Sequence, residues 1–195
     1  MHPYSIDTDE RKYILLLLAV ASVLLTWGFN NALSYYQISL WWWIESPSVL
    51  FFYGFLFIIF DRWGWKIFRK LGLIKTPNIN GVWSGHLKTS FDDHASEITV
   101  RLSIFQIWTR IKIILSTEQS VSHSETATIL VEPPEGQYLN YQYINEPKSG
   151  ATKTMSIHRG TVRLILNEKN NTLSGEYYSG RDRQKFGSLY FTKQS

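Results

Sequence analysis

Cysteine is absent from the 195 residues. That excludes a disulfide framework, a thiolate zinc site and a cysteine nucleophile, and it fits a reducing compartment. The sequence also lacks a Gly-rich phosphate loop and a Gly-x-Ser-x-Gly nucleophile elbow. His86, His94, His123 and His158 accompany Asp92 and Asp93, but their spacing matches no metal motif. Asp92, Asp93 and His94 read as a turn. Neither an enzyme nor a metal or organic cofactor is expected. Charge of one sign is scarce too: the formal net charge is only +4. Arg62, Lys66, Arg69, Lys70 and Lys75 cluster beside an apolar run. The imbalance therefore reads as membrane-surface chemistry, and polymeric nucleic acid is not an expected partner.

What is present is divided unevenly. The first third is strongly apolar, and the remainder has an ordinary soluble composition. One run spans about 13 to 33 and opens YILLLLAVASVLLTWGF. At 1.5 Å per residue its 21 positions reach roughly 31 Å, enough to cross a bilayer. A second covers about 41 to 60, with Glu45 near its end and Pro47 in its first helical turn. Trp41, Trp42 and Trp43 on one side, with Trp63 and Trp65 on the other, suit the two membrane interfaces. No Lys or Arg lies between Asn30 and Glu45, whereas both outer flanks are basic. A multi-pass anchor with both termini in the cytoplasm follows. Ala19, Ser22 and Thr26 form a small or hydroxyl-bearing stripe at helical spacing, an alternative use of the first span as a contact face. The expected organisation is an anchor with a basic linker over 1–76 and a cytosolic domain over 77–195.

Past Pro77 the period changes from helical to alternating. Strands are expected at about 81–88, 98–106, 109–116, 126–131, 137–144, 161–166, 172–179 and 188–193. Ile98, Val100, Leu102 and Ile104 alternate with Thr99, Arg101 and Ser103, so one face is buried and the other wet. Closing these eight antiparallel strands as a small up-and-down β-barrel removes both hydrogen-bonding edges. A two-sheet sandwich accommodates the same strand count.

An eight-stranded barrel holds packed side chains or one small ligand. Trp83, Leu87, Leu102, Ile104, Ile111, Ile113, Ile129, Leu164 and Leu166 are expected to point inward, together with Tyr141, Tyr143 and Tyr177. The tyrosines can pack in an apolar cavity, present a hydroxyl or stack on a base. Trp108, Arg110, Arg181 and Arg183 fall near strand ends, where guanidinium groups at a barrel mouth would pair with phosphates. The candidate ligand residues are therefore Trp108, Arg110, Tyr141, Tyr143, Tyr177, Arg181 and Arg183.

The layout of a two-span anchor, a basic linker and a β-domain opening NINGVWSGHL from Asn78 to Leu87 resembles the two-transmembrane, β-strand-rich effectors of bacterial CBASS anti-phage signalling. That resemblance implies a receptor for a cyclic di- or trinucleotide made by a cGAS/DncV-like nucleotidyltransferase. It also implies self-association within the lipid bilayer of the inner membrane, ending in membrane disruption and cell death. The Gly81, Val82, Trp83 element also looks like the Gly-x-Trp opening of lipocalin-like and avidin-like barrels, which makes Trp83 a core residue. The alternative function is an anchored lipocalin-like barrel that binds an apolar metabolite or lipid.

Overall fold

The computed structural model describes residues 1–38, 47–134, 136–151, 155–180 and 184–194. Two compact units emerge: one contains 1–7 and 76–195, the other 8–75.

In the second unit, helix α1 (Glu10–Tyr35) is 26 residues long. Among the described residues it is the one helix long and apolar enough to cross a membrane. Its apolar side chains are largely exposed, with Leu16 65% and Trp27 69% accessible. The Ser22 hydroxyl donates to the Ala19 carbonyl at 2.6 Å and that of Thr26 to the Ser22 carbonyl at 2.8 Å. The hydroxyl stripe is thus committed to its own backbone. The second expected span is described only from Pro47 onward. There Ser48 caps helix α2 (Val49–Ile59) by accepting the Phe51 N–H at 3.3 Å, so Pro47 precedes the cap and lies outside the first turn. A π-helical turn (Phe60–Gly64) and a short helix α3 (Trp65–Lys70) continue it. A second span is not established by these 11 residues of α2. Trp41, Trp42, Trp43 and Glu45 lie outside the described residues. Helices α1 and α2 pack together, with the Phe29 and Phe52 rings 5.9 Å apart. Trp65, expected at an interface, is fully buried.

The first unit is a closed barrel. Its eight main strands are β3 (Gly81–Thr89), β4 (Ile98–Gln106), β5 (Arg110–Ser116), β6 (Ser120–Leu130), β7 (Gln137–Pro147), β8 (His158–Asn167), β9 (Thr172–Ser179) and β10 (Phe186–Lys193). Each pairs antiparallel with its sequence neighbours, and β10 returns to β3 with Leu189 opposite Leu87. The sandwich alternative is therefore excluded. All twelve residues expected inside belong to the core or pack against it.

Closure between β5 and β6 is short, with Ile114, Leu115 and Ser116 opposite His123, Ser122 and Val121. Beyond that the two strands are bridged by the N-terminus. Strand β1 (His2–Pro3) pairs antiparallel with Ile111 and Arg110, and strand β2 (Ser5–Ile6) pairs parallel with Thr128 and Ile129. His2 Nε2 meets the Ser124 hydroxyl at 2.7 Å, and the Asp7 carboxylate accepts the Val131 and Glu132 N–H groups at 2.9–3.1 Å. Residues 1–7, expected in the anchor, therefore belong to the barrel wall. The physical reason is the gap: strand edges left unpaired would leave backbone groups unsatisfied.

One end of the barrel is filled. Trp83 donates its indole N–H to the Ile79 carbonyl at 3.0 Å. Beneath it, buried Gln106 accepts the Ile79 N–H at 2.9 Å and donates to the Pro77 carbonyl at 3.0 Å. Tyr4, Ile79, Ile104, Ile111, Ile129 and Phe191 pack around these groups at no more than 3% exposure. The chain leaves the barrel after Asp7 and re-enters at Thr76, both at this closed end.

Candidate functional site: an aromatic cavity at the open barrel end

Up-and-down topology places alternate hairpin loops at opposite ends. The loops after β3, β5, β7 and β9 share the open end, and the wall there encloses a cavity of about 740 Å³. That size falls within the usual range for small-molecule pockets, roughly 300–1,000 Å³. Its floor and sides carry Leu87, Leu115, Val162 and Leu189 with the rings of Tyr141, Tyr143 and Tyr177. Around them stand Thr89, Thr117, Ser120, Ser122, Asn145 and Ser179.

Two of the tyrosines lie against glycines of the neighbouring strand. Tyr143 is the register partner of Gly160, and Tyr177 that of Gly187. A methyl group at Gly160 would collide with the Tyr143 ring and hydroxyl and with the Tyr178 backbone carbonyl; one at Gly187 would collide first with the Lys88 backbone carbonyl and then with the Tyr177 ring. Hydrogen at these two positions lets the rings lie flat and keeps the lumen open. The centroids of Tyr141 and Tyr143 are 6.5 Å apart, and Tyr143 makes an edge contact with His158 at 6.4 Å. The His158 Nδ1 lies 3.0 Å from the Ser156 carbonyl, which can only accept, so Nδ1 carries the proton of that bond.

Polarity concentrates towards the mouth. Asn145 donates both amide hydrogens, to the Ser120 hydroxyl at 3.0 Å and the Ser122 hydroxyl at 2.8 Å. The Tyr141 hydroxyl and Asn145 Oδ1 are buried with no hydrogen-bond partner among the described residues. Burial raises the Tyr141 phenol well above its ordinary value, and neighbouring Tyr143 adds to the shift, so Tyr141 stays neutral. Among described lining residues Lys185 is the one lysine or arginine, with Nζ 5.6 Å from the Phe91 ring centre. Glu97 at the rim pairs with Lys88 at 3.0 Å. The Lys88 hydrogen bond and charge hold its carboxyl below the usual range, so it is ionised and already balanced. Among the described residues no group of three His, Asp or Glu side chains could hold a metal.

Of the seven expected ligand residues, the structure brings together Tyr141, Tyr143 and Tyr177. Trp108 and Arg110 do not join them. Their loop follows β4, which runs from the mouth to the closed end, so Trp108 is buried there and Arg110 pairs with Pro3. Arg181 and Arg183 lie outside the described residues, between Ser179 and Lys185, which both line the cavity. Sequence reasoning missed Ser120, Ser122, Asn145 and Lys185. For Asn145 a signal existed, since it follows Tyr141 and Tyr143 at the strand period of two.

A closed barrel plugged at one end, with an aromatic wall and a polar mouth, defines a ligand-binding β-barrel. A model of the Cap15 cyclic dinucleotide receptor domain matches residues 74–193. The chain belongs to that family. It is 29% identical over 140 residues to a CD-NTase-associated protein 15 from Yersinia aleksiciae, covering 71% of this chain and 65% of the relative. A CD-NTase-associated protein 15 from Staphylococcus schleiferi is 33% identical over 130 residues, covering 66% and 68%. The matched parts thus span about two thirds of each relative's length.

Proposed function

We propose that this chain is a membrane-anchored receptor for a cyclic di- or trinucleotide and an effector of bacterial anti-phage defence. The carrying observation is the cavity of about 740 Å³, with its three tyrosine rings, inside the segment matched by the receptor-domain family. A base stacked on an aromatic face gains about 1–3 kcal/mol. The hydroxyl and amide groups at the mouth suit ribose and base edges. Lys185 supplies charge for phosphate, together with Arg181 and Arg183, which stand close to it in sequence.

Residues 8–75 serve as the anchor and the barrel as the receptor. The connectivity supports two crossings. Because the chain leaves the barrel at Thr8 and returns at Thr76, any crossing by α1 has to be reversed before Thr76. The apolar run from 41 to 60 is the segment suited to that return. Both termini then share one side with the barrel, and the basic residues beside the run favour the cytoplasmic face of the inner membrane. Ligand that favours associated barrels would concentrate spans already confined to one plane, driving oligomerisation and membrane disruption.

The test is a titration of the full chain in lipid nanodiscs with cyclic di- and trinucleotides, using linear nucleotides and lipids as controls. Micromolar or tighter binding of one cyclic species, with dye release from liposomes that carry the protein, is the expected result. Silence across the cyclic panel with binding of an apolar compound would overturn it in favour of a lipocalin-like barrel. Lys185→Glu separates the two readings, because it abolishes a phosphate-bearing ligand and spares an apolar one.

A further inference from the structure

One large aromatic side chain at the mouth stays out of the core. Phe91 lines the cavity, yet 71% of it is accessible. Exposing an apolar ring to water is unfavourable, and the loop that carries it is firmly built. The Thr89 hydroxyl accepts the Phe91 N–H at 3.2 Å and opens a short 3-10 turn (Ser90–Asp92), while the His94 N–H donates to the Thr89 carbonyl at 3.0 Å. On the far side of the loop the Asp92 carboxylate accepts the Ser96 N–H at 3.0 Å. The Ser90 hydroxyl accepts the Phe186 N–H at 3.2 Å, which ties the loop to β10, and the His94 ring packs 5.7 Å from that of Phe186. The Phe91 ring itself faces the Lys185 ammonium, whose Nζ is 5.6 Å from the ring centre. Lys185 is anchored in turn: its N–H donates to the Ser179 hydroxyl at 2.8 Å, and its carbonyl accepts the Ser179 N–H at 2.7 Å. An aromatic face and a cation are thus presented side by side at the rim, each on a fixed backbone.

We infer that Phe91 is a ligand-binding residue: its exposed ring at the cavity mouth stacks on one base of the cyclic nucleotide, beside the phosphate that Lys185 takes. The inference rests on the receptor reading and deepens it. A cation over an exposed ring is held less strongly than one in a charge-assisted hydrogen bond to a phosphate oxygen, so an arriving phosphate draws the ammonium off the ring. The face it leaves is apolar, accessible and next to the cavity, which suits a base leaving water. The buried tyrosines serve a different part of the ligand. A cyclic dinucleotide carries two bases, and one that reaches Tyr141 and Tyr143 leaves the other nearer the mouth. Because every base has a π-face, Phe91 adds affinity without choosing between bases.

The experiment titrates the full chain in nanodiscs with the cyclic dinucleotide that wild type binds best, comparing wild type with Phe91→Ala, Phe91→Leu and Phe91→Trp. Because the side chain is mostly exposed, all three variants should unfold at the same urea concentration as wild type. Phe91→Ala and Phe91→Leu are expected to weaken binding roughly tenfold, and Phe91→Trp to stay within about twofold of wild type or to tighten it. Other cyclic species that wild type binds should lose the same factor. Of the two analogues in which a single base is replaced by hydrogen, one should bind Phe91→Ala and wild type alike. Wild-type affinity in Phe91→Leu would reduce the ring to an apolar cover and overturn the inference, as would equal affinity of all four chains, and both results leave the receptor intact. If wild type binds no cyclic nucleotide at all, the receptor reading fails and this inference fails with it.

Discussion

Tyr143 lies over Gly160, its register partner across the β7–β8 ladder, and the ring occupies the space that any side chain at position 160 would need. Because a methyl at 160 would also press on the Tyr178 backbone carbonyl, Gly160→Ala is expected to displace both the ring and the β9 backbone, cost about 1–3 kcal/mol through overpacking and weaken ligand binding. Urea denaturation measures the first effect and titration the second. A variant as stable as wild type, with unchanged affinity, would show that the glycine is incidental.

Trp83 and the residues around it form the opposite, plugged end. Trp83→Ala removes a fully packed indole and its bond to Ile79, and is expected to cost about 3–5 kcal/mol. The effect reads as a lowered denaturation midpoint. Once the variant is folded, its ligand affinity should stay near that of wild type, because no atom of Trp83 lines the cavity.

Removal of residues 1–6 strips β1 and β2 from the wall and exposes the diverging edges of β5 and β6. Faster hydrogen exchange is expected at Ile111 and Ile113 on one side and Thr128 to Val131 on the other. Protection of the β7–β8 ladder should change far less. Uniform protection across the truncated barrel would mean that the N-terminal strands do not seal it.

Tyr141 carries a pH signature. Its folded value is raised above the ordinary tyrosine value of 10.0. Folding stability is unaffected by this phenol's ionisation below pH 10 and declines as pH rises beyond it, because only the unfolded phenol ionises readily. Tyr141→Phe should flatten that alkaline decline. Without ligand it should also raise stability by about 1 kcal/mol, since an unpartnered buried hydroxyl is removed, while weakening ligand binding. Thermal melts from pH 8 to 11 check the first two effects and titration the third.

The strands with clean alternation were legible from sequence, and Ile98 to Ile104 set the pattern. Strand β6 was read from Thr126 but begins at Ser120. Its first half alternates serines that face a polar mouth, and a lumen that is polar at one end erases the contrast on which periodicity depends. The placement of Trp108 and Arg110 shows a different limit. Hairpin loops of an up-and-down barrel alternate ends, so the connection after β4 and the one after β9 cannot share a rim. Counting strands carries that information, whereas residue type does not. The N-terminal strands had no signal, because two-residue segments such as His2–Pro3 are too short for any period. Tyr141, Tyr143 and Tyr177 were recognisable because aromatic residues at inward positions are read from parity alone.

The entry and exit of the chain at the plugged end has a consequence for how such a protein diversifies. Loops after β3, β5, β7 and β9 bear no connection to the helices, so insertions and substitutions there leave the attachment points untouched. The barrel mouth and the helical unit thereby occupy separate tracts of heritable variation. A lineage can rewrite the mouth of the barrel while inheriting the helical unit unchanged.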